Sequence, residues 1–286
     1  MLRSARALVR AVSLAGSRLV RFVAEPLAEA DRMAIAHMQQ RSLLKDRRAV
    51  GIVLLAAGAL LIQHYILSDD PDNFLMLMWS VGLEDTTRQL YSAFTDPETG
   101  RFNKLLLWVM GTTLSYLVLP AILLKLSGAR LRDYGLRFPE SGDVRIYGVV
   151  VMLALPLIVL AVRHPSFFSY YPLYFPPAGE PLWPRFIVFE FLYILQFVAV
   201  EFLFRGVLIH GTKHRIGAFS ILLPLIPYVM IHFEKPVMEA IGAVFAGLFL
   251  GFMSLKSGSI IYGIVLHIVV AVTMDMAALA LQGRLF

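Results

Sequence analysis

The sequence predicts an all-α protein, a polytopic membrane helix bundle of about seven to eight transmembrane helices. Composition is the first reason: of 286 residues 58% are hydrophobic and 16% charged, with a mean hydropathy of +0.70. That apolar share is well above that of an ordinary soluble domain. Secondly, apolar runs recur that are long enough to cross ~30 Å of hydrocarbon as helices. Thirdly, these runs are continuous rather than alternating, which excludes a closed barrel, the other structure lipid admits. There is no cysteine, so disulfides, thiol nucleophiles and thiolate metal sites are excluded. The formal charge of +6 reports orientation in the membrane rather than nucleic-acid binding.

Residues 1–48 differ from the rest. No acid precedes Glu25, whereas Arg3, Arg6, Arg10, Arg18 and Arg21 fall on one stripe of a helix. Leu8, Val12, Leu19 and Val23 fall opposite. This is a basic amphipathic helix suited to an anionic cytoplasmic leaflet, and its acid-poor, Ser-containing start also has the look of an organellar transit peptide. Residues 49–286 form the membrane domain. Spans are expected at 50–67, 105–126, 146–162, 185–210, 216–232, 237–255 and 260–281. NFLMLMWSVGL, within the acidic stretch after the first span, is too short to cross and skims the interface. SFFSYYPLYFPPAGEPLWP, before the fourth, reads as an interfacial aromatic loop. Lys and Arg in the short connections alternate, which puts the N-terminus inside and the C-terminus outside.

Ionisable side chains inside such spans are expensive, so they face a partner or a wet cavity. The fourth span carries Glu190, Glu201 and Arg205, the fifth ends at His232, and the sixth opens with Glu239. The seventh carries His267 and Asp275. At ~1.5 Å per residue, Glu201 lies about 18 Å up its helix from the basic end, His232 about 24 Å and His267 about 12 Å. Those depths allow the three to meet. Arg205, one turn from Glu201, is placed to pair with it. A carboxylate can take a proton from attacking water, and imidazoles can donate to an oxyanion or bind a metal. The plain alternatives are a neutralising ion pair for Glu201 and Arg205 and helix–helix hydrogen bonds for the histidines. No G-x-S-x-G, H-E-x-x-H or Gly-rich phosphate loop is present.

At these residues the chain resembles the CAAX-protease and bacteriocin-processing (CPBP, Abi) family of intramembrane proteases. The family pattern is E-E-x-x-x-R, then F-x-x-x-H, then H-x-x-x-N. VEFLFR at 200–205, YVMIH at 228–232 and HIVVA at 267–271 stand in those places and in that order. LRDYGLRFP at 131–139 looks like the segment preceding the family core, and the likeness covers about 128–281. Val200 replaces the first glutamate, Tyr228 the phenylalanine and Ala271 the asparagine.

The resemblance implies an intramembrane endopeptidase in the bacterial inner membrane, with its N-terminus cytoplasmic. Its partners would be membrane lipid and a membrane-associated or lipidated protein or peptide substrate, with no nucleic acid. Glu201 would activate water, tuned by Arg205. His232 and His267 would stabilise the oxyanion or, with Glu201, hold a divalent metal such as zinc. Glu239 and Asp275 would substitute for the missing polar groups as second carboxylates. The alternative is a catalytically inactive member that binds or regulates a membrane partner. A proton-coupled transporter is a third reading, which the lack of paired repeats opposes.

Overall fold

The computed structural model describes residues 2–38, 46–139, 144–177 and 181–284, with side chains from residue 16 onward. Among the described residues there is no strand. This follows from the solvent: without water to satisfy exposed backbone, each crossing must close its own hydrogen bonds.

The chain opens with α1 (Leu2–Met38), one continuous helix. Arg3, Arg6, Arg10, Leu8 and Val12 of the expected amphipathic stripes lie outside the described side chains. Arg18 and Arg21 are exposed, as are Leu19 and Val23. Then come α2 (Arg47–Tyr65) and a short helical hairpin, α3 (Asp72–Ser80) with α4 (Glu84–Thr95). They are followed by α5 (Gly100–Leu126), α6 (Val144–Ala161) and the one-turn α7 (Pro165–Tyr170). The last four are α8 (Arg185–Ile221), α9 (Leu225–Met230), α10 (Val237–Ser257) and α11 (Ile261–Leu281).

Among the described residues six helices are long and apolar enough to cross a membrane: α2, α5, α6, α8, α10 and α11. The span expected at 216–232 is not one of them. Gly217 turns the chain with φ +55, a short 3-10 turn follows, and Pro224 and Pro227 interrupt what remains. The segment still runs alongside α10 in the opposite direction. Gly251 packs on Ile221, while Gly247, one turn nearer the start of α10, packs on Leu225 and Tyr228. The seventh crossing therefore exists as a broken one.

The ends of the helices sort into two faces. On the N-terminal face, Asp46 meets His214 at 3.1 Å, and the loop after α5 is stitched to the loop before α11 by Ile260 N–H donating to Gly135 O at 3.0 Å. On the opposite face Arg101 meets Asp69 at 3.4 Å, and Gln282 donates to Tyr171 O at 3.0 Å. This alternation is the one that the basic connections predict. α1 docks on the N-terminal face. Ala30 and Ala34 are buried, Asp31 accepts from Ala218 N–H at 2.7 Å, and Arg215 donates to His37 O at 2.9 Å.

Two features of this face make testable predictions. Gly206 of α8 lies so close to the 131–134 turn that a Cβ would stand 2.7 Å from Tyr134 O. Gly206→Ala should therefore lower unfolding stability in detergent by about 1–3 kcal/mol, because a backbone oxygen must move. The second concerns Asp46, the cap of α2, which accepts from Arg48 N–H at 3.0 Å and Ala49 N–H at 3.1 Å. Burial pushes its carboxyl up, but these backbone donors and His214 outweigh burial and hold it below the usual range. A depressed carboxylate stabilises fully above the unfolded value of about 3.9 and loses that contribution as pH falls through the folded value. Hydrogen-exchange protection of the first turn of α2 should hold down to pH about 4 and fall below it. A loss that begins well above pH 4 would mean that another group governs this turn.

Candidate active site

The core of the described residues has three parts, and the candidate site sits where two of them join. One gathers Ile52, Tyr116, Phe202, Phe204, Val207 and Tyr228; the other is an aromatic column that includes Phe189, Tyr193 and Phe197. α8 runs through both. It is α-helical to Glu201 and widens into a π-helical segment over Phe202–His210. Such segments are frequent at functional sites because they turn side chains out of α register. This one begins immediately after Glu201 and contains Arg205.

Glu201 and Arg205 are 1% and 2% exposed and meet at 3.0 Å through Oε1 and a guanidinium nitrogen. The same Oε1 lies 3.0 Å from Nδ1 of His267 on α11. One carboxylate oxygen thus receives a guanidinium and an imidazole, which joins two helices. The other oxygen, Oε2, has no hydrogen-bond partner among the described residues and is enclosed against Gly263, where a Cβ would stand 3.4 Å away. The His267 side chain is the more open member, at 14% exposure. Phe197 supports its ring, with centroids 4.6 Å apart.

His232 comes to this site through Tyr228. Its Nδ1 lies 2.7 Å from Tyr228 O, and its ring packs on the Tyr228 ring at 4.9 Å. The same phenol ring lies 3.9 Å from the Arg205 guanidinium carbon and 6.2 Å from the His267 ring. Tyr228 is therefore the surface on which Arg205, His232 and His267 are assembled. In the sequence Tyr228 stands only at the place of the family's phenylalanine; its position one turn before His232 was the available signal. A carbonyl and a carboxylate only accept, so each Nδ1 is assigned as the donor.

The expected metal set of Glu201, His232 and His267 does not form a ligand shell in this arrangement. Among the described residues no three His, Asp or Glu side chains come together in a way that could hold a metal ion. Catalytic zinc takes three protein ligands, and no such trio is assembled among the described residues.

Glu239 and Asp275 are not brought to Glu201. Glu239 pairs with Lys235 at 2.8 Å and accepts from Tyr171 OH at 2.7 Å. Asp275 is fully buried, accepts from Leu173 N–H at 2.9 Å and faces Glu190 on α8. Nothing else among the described residues donates to its second oxygen or to either oxygen of Glu190. Both acids anchor the segment after α7, which folds inward instead of lying at the interface: Tyr171 and Tyr174 are 3% and 1% exposed. Val200 and Ala271, at the positions of the family's first glutamate and last asparagine, are buried in the apolar clusters.

Comparison with curated proteins and with solved structures gives no match. Residues 181–273, the stretch that carries Glu201, Arg205, Tyr228, His232 and His267, match the Rce1-like family, described as type II CAAX prenyl endopeptidase Rce1-like, and so bear out the resemblance read from the three motifs.

Proposed function

We propose that this protein is an intramembrane endopeptidase that hydrolyses a peptide bond of a membrane-associated or lipidated protein, without a resident metal. The observation that carries the reading is Glu201 Oε1, held at 3.0 Å by both Arg205 and His267. Buried carboxylate, guanidinium and imidazole on two helices form one unit, of which the His267 imidazole is the more open member.

In this reading Glu201 acts through His267. It fixes the tautomer with Nδ1–H towards itself, which leaves the Nε2 lone pair for water. The water oxygen attacks the scissile carbonyl carbon as its proton passes to Nε2. Glu201 stabilises the imidazolium that forms, and Arg205 keeps Glu201 ionised. The proton then passes to the leaving amine nitrogen as the C–N bond breaks. His232, with Nδ1 tied to Tyr228 O, offers a second acceptor to orient the water. The membrane is the bacterial inner membrane with the N-terminal face cytoplasmic, since that face carries the basic connections.

The test is cleavage of a membrane-anchored peptide co-reconstituted with the full chain. Glu201→Gln should reduce the rate by about 10²–10⁴-fold, the range of a lost acid–base contribution, and a chelator should leave the wild-type rate unchanged. Loss of activity on chelation, restored by zinc, would put the metal back. The second reading, a non-catalytic partner, is favoured by the enclosure of Glu201 Oε2 and by the apolar Val200 and Ala271. It requires that Glu201→Gln change stability while no cleavage is seen from any variant.

A further inference from the structure

Far from Glu201, on the N-terminal face, three cations from three separate segments lie near one another with no ion-paired carboxylate among the described residues. Lys213 follows the π-helical segment of α8, Arg48 opens α2, and Arg137 closes the loop after α5. Lys213 Nζ lies 2.9 Å from Nδ1 of His210, an imidazole that is 3% exposed and whose Nε2 bonds Ser254 at 3.0 Å. Arg137 is held by Gly258 O at 3.0 Å, and Arg48 lies over the Tyr134 ring at 5.7 Å. None of the three has an ion pair among the described residues.

The nearby acids are committed elsewhere or act weakly. Asp133 pairs with Arg130 at 3.0 Å; Asp46 bonds His214 at 3.1 Å and lies 3.2 Å from Arg215. The charges that bear most on Lys213 are Arg137 and Arg48, ahead of Asp133 and Glu29. Arg48 and Arg137 are exposed and Lys213 is half-buried; like charges on neighbouring segments repel, and an anion shared among them relieves that repulsion. Its surroundings identify the anion. Phe138, next to Arg137, is 80% exposed, and Leu126, at the end of α5, is 78% exposed. A phenyl ring and a leucine left bare beside a cation cluster at the end of a crossing match acyl chain and phosphate together.

We propose that Lys213, Arg137 and Arg48 form a binding site for the phosphate of an anionic phospholipid headgroup, with Phe138 and Leu126 against its acyl chains. The site is separate from the peptidase reading and does not depend on it.

The test uses the full chain purified in neutral detergent, titrated with phosphatidylglycerol and, separately, phosphatidylcholine, and read by native mass spectrometry. Phosphatidylglycerol should bind in preference. Each cation removed should weaken it about fivefold, so that Lys213→Gln with Arg137→Gln weakens it by about 25-fold. Lys213→Arg keeps the charge and should retain binding, which separates loss of the site from loss of the fold. Inorganic phosphate at millimolar concentration should not displace the lipid; displacement would make free phosphate the ligand and overturn the lipid assignment. Equal binding of the two lipids, or wild-type affinity in the double variant, would remove the site altogether.

Discussion

Replacing Arg205 by methionine, with Glu201 left in place, should destabilise the protein by about 3–5 kcal/mol, the loss expected when one partner of a buried ion pair is removed. Both side chains are almost fully enclosed, and Oε2 of Glu201 already lacks a donor. Without the guanidinium only His267 would face the carboxylate. Glu201→Gln should cost less, because Arg205 keeps the face of Tyr228 3.9 Å away. The double variant should recover part of the loss, since no charge is then stranded. Chemical unfolding of the four proteins in one detergent gives the coupling energy. A coupling below about 0.5 kcal/mol would mean that the two groups do not depend on one another.

His267→Ala should lower peptide cleavage by about 10²–10⁴-fold while leaving unfolding stability close to wild type. The contrast with Arg205 follows from position. The imidazole is the open end of the unit, packed against Phe197 at 4.6 Å, and its removal leaves Glu201 with its guanidinium. His232→Ala should cut the rate less, because its Nδ1 is spent on Tyr228 O and it only helps orient water. If His267→Ala cleaves at the wild-type rate, the proton goes elsewhere and the proposed division of labour is wrong.

The crossings were legible because lipid leaves long apolar runs and little else, and α2, α5, α6, α10 and α11 begin or end within a few residues of the expected spans. The broken crossing at 217–232 was not. Gly217, Pro224 and Pro227 were visible as breakers, but the apolar run around them masked the interruption. The pairing of Glu201 with Arg205 follows from helical spacing, and its contact with His267 from comparable depth. Glu239 and Asp275 were misplaced for a different reason. Their partners, Tyr171 and Leu173, arrive from a segment some 68 and 102 residues earlier in the chain. Helical periodicity carries no trace of such a contact. The π-helical segment has no spacing signature of its own and was equally hidden, whereas Tyr228 was signalled by its place one turn before His232.

That wide segment has a consequence for register. A coil that bonds five residues back accommodates one residue more per turn than its α-helical flanks. Excising a single residue between 202 and 210 would let one turn relax to ordinary pitch with the flanking helices near their present angles, but it would re-aim the side chains within the wide stretch. Glu201 would keep its place beside His267, while the guanidinium at Arg205 would lose its alignment with the carboxylate. Chain length through this stretch is thus as strict a requirement as the identity of the acid itself.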